Sequence, residues 1–170
     1  QINVDKLKEI AVSQGMNEIL TYSFTSPKSF DTLRLAKDSP LRNAVKLLNP
    51  LGEDVSVMRT TLVYSMMSTL AKNCLKSNKS ARLFEIAHVY EPNQDATIQP
   101  NETTVMALGM YGDCDYYTIK GVIEIILRAF GIKAEFVRSS LPYMHSGRSA
   151  DVMAGSHRLG YLGEVHPSVA

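Results

Sequence analysis

The sequence has almost no net charge and only two cysteines, and each shortage argues against a class of function. Lys and Arg number 18 and Asp and Glu number 17, which gives a formal net charge of +1. A surface that wraps nucleic acid unaided is usually more basic than this. Cys74 and Cys114 lie far apart and lack the spacing of a metal site. We therefore expect two structural thiols in a reducing compartment, with Cys74 on an apolar helix face.

Long apolar runs and the common catalytic signatures are also missing. No apolar run approaches the roughly 20 residues that a transmembrane helix needs, and no secretory leader is recognisable. The sequence has no Gly-rich phosphate loop, no Gly-x-Ser-x-Gly turn, no repeat and no metal-type histidine spacing. Its 170 residues, 45% hydrophobic and 21% charged, fit one folded, soluble domain and indicate nothing more specific.

The stretch from Met58 to Tyr90 predicts a helix, a short loop and a buried strand. Thr60 or Thr61 can cap the helix, because a hydroxyl oxygen can accept from an orphan backbone N–H. Asn78 can end it. The apolar residues recur at helical spacing, which indicates one face packed on a core. This stripe consists of Leu62, Met66, Leu70 and Cys74, widened by Val63, Met67 and Ala71.

The strand at 82–90 contains a carboxylate among apolar residues. Both of its alternating sets are mostly apolar, so we expect it to be covered on both faces. Glu85 falls on the side of Leu83, Ala87 and Val89, where a carboxylate needs a partner. We expect Arg59 to be that partner, which makes Glu85 a tie within the core; a catalytic acid is the alternative.

The remaining patterns predict an antiparallel sheet with helices packed on it, since strands and helices mix without strict β-α-β alternation. Residues 103–111 form a strand that folds back on 82–90, and residues 116–130 form an amphipathic helix between Asp115 and Gly131. Asn3 can cap a first helix that ends at Gly15. The other predicted elements are a strand at 17–24, a short helix after Ser26-Pro27, a strand at 44–48, and strands at 134–138, 149–154 and 158–165, the last two joined by a hairpin at 155–157.

Three motifs in the same order resemble a known family. They are MRTTL with LFEIAHVY (58–62 and 83–90), HSGRSADV (145–152) and LGYLGEVHP (159–167). They are similar to the synthetase-like domain in the β subunit of bacterial phenylalanyl-tRNA synthetase. The resemblance implies an α+β fold of the class II aminoacyl-tRNA synthetase type, with a mainly antiparallel sheet flanked by helices. It spans residues 1–170, which we interpret as a single domain, a fragment of a longer β chain that stops before motif 3.

Residues 4–24 are similar to motif 1 of class II synthetases, a helix, a Gly turn and a strand used at a subunit interface. The strand lacks the motif's proline, and Tyr22 stands at about its place. In the family pattern a motif 2 arginine follows closely after the strand that ends at Tyr90. Here the stretch from Glu91 to Glu102 holds three acids and no base. Because ATP chemistry needs fixed cations at the phosphates, we expect a catalytically silent site.

What the resemblance implies is a module that supports catalysis by another subunit. The family works as an α₂β₂ assembly in which the α subunit uses ATP and Mg²⁺ to charge tRNA(Phe) with phenylalanine in the cytoplasm. We expect no cofactor, metal or catalytic residue in this domain. The alternatives are a self-sufficient class II ligase core that binds ATP through unidentified residues, and an RNA-binding module.

Several polar residues are candidates for structural or interface roles. His145 with Arg148 suggests phosphate or carboxylate binding, because arginine forms a bidentate fork; a loop fastened by Arg148 to backbone carbonyls is the alternative. A basic cluster near the end of the predicted helix that begins at Thr60 or Thr61 could touch a tRNA backbone, or could be a solvated helix end. The structural or interface candidates are Arg59, Glu85, His145, Arg148, Glu164 and His166, and the candidate tRNA contacts are Lys72, Lys76 and Lys79.

Overall fold

The structure, a computed structural model, describes residues 2–95 and 98–169. The α+β class is confirmed, because mostly antiparallel strands are flanked by helices. The described residues contain no helix that could cross a bilayer. The helices are α1 (Ile2–Ser13), α2 (Lys28–Thr32), α3 (Val63–Leu75) and α4 (Tyr116–Ala129). The strands are β1 (Asn17–Glu18), β2 (Phe24–Thr25), β3 (Val57–Met58), β4 (Ala81–Glu91), β5 (Asn101–Tyr111), β6 (Glu135–Arg138), β7 (Met144–Ala154) and β8 (His157–Val165).

The β4–β5 hairpin is the central pair of the fold. It runs in unbroken antiparallel register from Ala81 opposite Tyr111 to Glu91 opposite Asn101, as predicted. One face packs through Phe84 against α1 and α4. The other packs through Ala87 against Leu62 at the start of α3. Both faces of β4 are therefore covered over most of its length.

Helix α3 lies close against β5. A Cβ at Gly109 would stand 2.6 Å from Cγ of Met66, so the absence of a side chain there permits the close approach. The predicted packing of Cys74 on the apolar face of this helix is wrong, since Cys74 is exposed. The buried stripe stops earlier, and the last turn carries Cys74 and Leu75 into solvent.

The ends of α3 also differ in detail from the prediction. Thr61 Oγ1 accepts from the Val63 N–H at 3.2 Å, whereas the Thr60 hydroxyl donates to the Leu41 carbonyl instead. The helix ends at Leu75, and the residue in the left-handed conformation that follows it is Ser77, with φ of 63°, one residue before the predicted stop at Asn78. The Asn78 N–H then reaches the Asn73 carbonyl at 3.3 Å, which is a common way to satisfy the last carbonyls of a helix.

Helix α4 joins the hairpin to the second three-stranded sheet, β6–β7–β8. Asp115 caps it as predicted: Oδ1 accepts from the Thr118 N–H at 2.8 Å, and the Thr118 hydroxyl accepts from the Asp115 N–H. The hydrogen bonds from Thr118 lower the pKa of the Asp115 carboxyl. Val122 packs toward Phe84, while Ile123 packs against Ala150 and Leu162 of the second sheet. One helix thus fills the space between the two sheets.

Three local predictions are wrong. Asn3 lies inside α1 rather than capping it. In the predicted strand at 17–24, only Asn17 and Glu18 pair with β4, in parallel, before β2 pairs separately with β3. The predicted strand at 44–48 is reduced to a single bridge from Lys46 to Val57. Residues 96 and 97 of the predicted acidic loop, and the predicted boundary at residue 170, lie outside the described residues.

Candidate functional site

A buried ion pair joins β4 to the residue that follows β3. Nη1 of Arg59 lies 3.2 Å from Oε1 of Glu85, and their side chains are 3% and 0% exposed. Pairing of β3 with β2 places Arg59 at this depth, and its Nε donates to the His88 carbonyl at 2.9 Å. A buried charge pair persists only when its remaining donors and acceptors are also satisfied. Arg59 and Glu85 therefore need further partners.

Thr21 is the third member of this cluster. Oε1 of Glu85 accepts from the Thr21 backbone N–H at 3.0 Å, and the Thr21 hydroxyl lies 2.8 Å from Oε2. The same hydroxyl oxygen accepts from Nη1 of Arg59 at 2.8 Å. Among the described residues no buried side-chain nitrogen or oxygen lacks a hydrogen-bond partner. The cluster of Thr21, Arg59 and Glu85 is thus a closed polar network inside the core.

The other side of the same segment carries an exposed apolar ridge, formed by Leu20, Tyr22 and Phe24. Leu20 is 89% and Tyr22 83% exposed, while the residues between them turn inward. Successive side chains of an extended chain alternate between two sides. Because Glu85 and Arg59 take the polar side, the apolar side is left facing solvent. This inverts the usual pattern, in which the apolar side of a half-buried strand faces the core.

The ridge continues into a loop that is equally apolar and exposed. Leu48 and Leu51 are almost completely accessible to solvent. Together with Phe24 they border a shallow cleft of about 260 Å³. Contiguous exposed apolar surface on a folded domain commonly marks an interaction site. The cleft is lined by Phe24, Leu47, Leu48, Asn49, Leu51 and Val55.

The end of the β4–β5 hairpin, where the family resemblance predicts a motif 2 arginine, is acidic. Glu91 lies opposite Asn101, and Glu102 lies opposite Tyr90. Both carboxylates are exposed, and the sequence supplies no Lys or Arg between them. The nearby Arg59 guanidinium points into the core and is paired with Glu85. No group of three or more metal-ligating side chains occurs in residues 2–95 and 98–169.

The three candidates in the second sheet lie along the β7–β8 pair. Nε of Arg148 lies 2.6 Å from Oε2 of Glu164, so Arg148 holds a carboxylate across the strands rather than the backbone carbonyls of a loop. Nδ1 of His145 accepts from the Gly147 N–H at 3.1 Å. The register between β7 and β8 shifts between Met144 and Ser149. His145 and Arg148 therefore lie in a strand irregularity and face partners within the chain.

His166 fastens the end of the described chain to α2. Its Nδ1 lies 3.1 Å from Nη1 of Arg34 and accepts from the Ser168 N–H at 3.1 Å. Arg34 follows α2 with φ of 54°, a conformation that is uncommon for residues other than glycine. The contact between Arg34 and His166 links two segments 132 residues apart.

The predicted basic cluster is exposed at the end of α3. Lys72, Lys76 and Lys79 are all exposed, and none forms an ion pair within the part of the chain that the structure describes. The helix C-terminus carries a partial negative charge, which favours cations there for purely structural reasons. The cluster is therefore accessible to an anionic partner, but its position at a helix C-terminus also has a purely structural explanation.

Sequence reasoning missed the apolar ridge and the part of Thr21 in the buried network. The signal was present as the alternation Leu-Thr-Tyr-Ser-Phe-Thr at residues 20–25. Read alone, that alternation indicates that Leu20, Tyr22 and Phe24 face the core. The opposite orientation follows only from the hydrogen bonds between Thr21 and the buried Glu85.

Comparison with known proteins places the chain in one family. A family model described as the phenylalanyl-tRNA synthetase β chain CLM domain matches residues 1–170. The phenylalanine–tRNA ligase β subunit of Clostridium acetobutylicum is 47% identical over 167 residues, and that of Clostridium tetani is 44% identical. Each match covers 97% of this chain and 21% of the relative. The chain thus spans about a fifth of the length of these curated relatives.

Solved structures show the same fold at lower sequence identity. Two structures of pyrrolysyl-tRNA synthetase from Desulfitobacterium hafniense match with TM-scores of 0.70 and 0.72, both at 22% identity. They cover 94% and 92% of this chain, and 54% and 56% of the solved chains. At this identity the likeness supports the fold alone. The sequence-based prediction of a class II synthetase-like fold is confirmed.

The buried network predicts a large difference between two Glu→Gln substitutions. Glu85→Gln leaves the Arg59 guanidinium buried without a counter-charge and should lower the free energy of unfolding by about 3–5 kcal/mol. The matched control, Glu102→Gln at the exposed hairpin end, should change it by less than about 0.5 kcal/mol. Urea denaturation followed by circular dichroism measures both. Equal stability of the two variants would show that the pair contributes nothing.

Proposed function

The chain belongs to the phenylalanyl-tRNA synthetase β-chain CLM-domain family, and from that premise we propose that it is a non-catalytic, synthetase-like module. In this proposal it is a single domain within a longer β chain, and the motif 3 region lies outside it. Its role is to support the α subunit, within a cytoplasmic α₂β₂ enzyme, in ATP-dependent attachment of phenylalanine to tRNA(Phe). The observation that carries the proposal is the exposed apolar ridge of Leu20, Tyr22 and Phe24.

The ridge lies on the segment that resembles motif 1, which class II synthetases use at a subunit interface. An apolar stripe that an isolated domain leaves in water suits a permanent interface better than a transient one, since obligate interfaces are the more hydrophobic class. Leu48 and Leu51 extend the same surface. We therefore assign the ridge and its adjoining cleft to the α subunit.

The charges at the end of the β4–β5 hairpin and the pairing of Arg59 support the proposal that this domain is not catalytic. Formation of an aminoacyl adenylate at the α-phosphate of ATP needs fixed cations and Mg²⁺ held by carboxylates. The acidic end of the β4–β5 hairpin would repel a triphosphate, and Arg59 is committed to Glu85. In this proposal ATP and Mg²⁺ are bound by the α subunit.

Charging the ridge should separate the subunits. In the intact β chain, Leu20→Glu with Tyr22→Glu would place two carboxylates in an apolar interface, where desolvation is costly. We expect at least a tenfold weaker affinity for α, with loss of ATP–pyrophosphate exchange to the same extent. Leu75→Glu, at an equally exposed leucine on α3, serves as the control and should leave both unchanged. Normal recovery of α with the double variant would contradict the assignment.

The self-sufficient ligase alternative is tested by nucleotide binding. We expect no saturable Mg·ATP binding by this 170-residue domain in calorimetry, because the hairpin end supplies no cation for the phosphates. The intact α/β enzyme serves as the positive control, and circular dichroism establishes that the domain is folded. A micromolar Kd for the domain alone would contradict the proposal and favour a ligase core.

The lysine cluster offers the domain's candidate contact with the tRNA backbone. Replacing Lys72, Lys76 and Lys79 by Ala in the α/β enzyme should weaken tRNA binding and reduce its salt dependence. Each lost phosphate contact lowers the slope of log K against log salt by roughly 0.7–0.9. The control replaces Lys28, Lys37 and Lys133, which are also exposed. Equal behaviour of the two triple variants in filter binding would identify the cluster as a solvated helix end.

A further inference from the structure

We propose that Thr21, held by Glu85 and Arg59, is a positioning residue that fixes which side of the 19–24 segment faces the α subunit. The inference rests on the proposed function for its partner, and on the geometry of the buried network for its mechanism. It assigns the buried ion pair a role beyond stability: the pair selects the orientation of an interface on the opposite side of the chain.

The segment between β1 and β2 has no strand ladder to fix its orientation. Residues 19–23 pair with no neighbouring strand in the described structure. One backbone bond, from the Ile19 N–H to the Phe84 carbonyl at 2.8 Å, continues from β1. Beyond it, the chain would be free to rotate or slip unless something else held it.

Arg59 and Glu85 supply the missing attachment. Glu85 accepts from the Thr21 N–H at 3.0 Å, and the Arg59 backbone N–H donates to the Ser23 carbonyl at 2.9 Å. Nη1 of Arg59 also lies 3.3 Å from the Tyr22 carbonyl. Three consecutive residues are thus held by two that belong to other parts of the chain.

Because side chains alternate along an extended chain, this attachment also determines which side chains of the segment face inward and which face solvent. A slip of one residue in an extended chain moves every side chain to the opposite side. Such a slip would turn Leu20 or Tyr22 toward Glu85 and leave the carboxylate and guanidinium without the Thr21 hydroxyl. Buried charged groups without hydrogen-bond partners are costly. The slipped arrangement is disfavoured, and the ridge stays outward.

Thr21 determines the orientation of the segment because its hydroxyl both donates and accepts a hydrogen bond. It donates to the Glu85 carboxylate and accepts from Arg59 Nη1. Serine offers the same two functions, whereas valine has the shape of threonine and offers neither. Thr25, the next inward residue but one, provides a matched control. Thr25 is only 8% exposed, but its hydroxyl oxygen retains some access to solvent and makes no hydrogen bond to the described residues.

The test compares Thr21→Val, Thr21→Ser and Thr25→Val in the intact β chain. Hydrogen exchange of peptides covering residues 19–23 is measured in free β, and α affinity is measured by titration. We expect Thr21→Val to raise exchange at 19–23 at least tenfold and to weaken α binding at least tenfold. Thr21→Ser should restore both to near the wild-type values, and Thr25→Val should change neither. Unchanged exchange in the β4–β5 hairpin shows that each variant is folded.

Two results would overturn the inference. The first is exchange at 19–23 in Thr21→Val that equals that of Thr25→Val. The second is faster exchange at 19–23 without any loss of α affinity, in a protein whose α binding is abolished by the charged ridge variant. If the charged variant itself leaves α binding intact, the proposed function fails instead. The exchange measurement on free β then still decides whether Thr21 positions the segment.

Discussion

The ion pair between Arg59 and Glu85 is the interaction on which the arrangement of this domain depends. It joins the β4–β5 hairpin to the chain after β3 and, through Thr21, to the segment that follows β1. Two ionised groups at this depth can be accommodated only because the network closes on itself. Its closure requires the polar side of residues 20–25 to face inward, and so it leaves an apolar side in solvent.

This constraint supports the proposal that the synthetase fold serves a purpose other than catalysis in this domain. The hairpin and its covering helices are maintained by apolar packing and by the close approach at Gly109, neither of which needs a ligand. The charges are distributed differently from those of an ATP site. The arginine near the hairpin is bound in the core, and the hairpin end is acidic. The apolar ridge remains exposed to solvent, and in the proposed function it contacts a partner subunit.

Much of the fold could be predicted from the sequence because strong local patterns agree with the final packing. The β4–β5 pairing, the capping of α4 by Asp115 and the hairpin at Gly155 follow from periodicity and from turn and cap chemistry. The partner of Glu85 followed from the cost of burying a carboxylate. The predicted strand at 17–24 was largely wrong because residues 19–23 are held by Glu85, by Arg59 and by single backbone hydrogen bonds, and not by a strand ladder. Contacts with residues distant in sequence leave no local pattern, so the alternation of residues 20–25 alone could not predict the exposed ridge.

Hydrogen-exchange footprinting of the intact β chain with and without the α subunit tests the central claim most directly. We expect α to slow exchange at residues 19–24 and 47–55. We also expect Mg·ATP, added to the complex, to leave exchange at the hairpin end, residues 90–95 and 98–102, unchanged. Slower exchange at the hairpin end on adding nucleotide, with no effect of α at the ridge, would contradict the account and identify a nucleotide-binding domain.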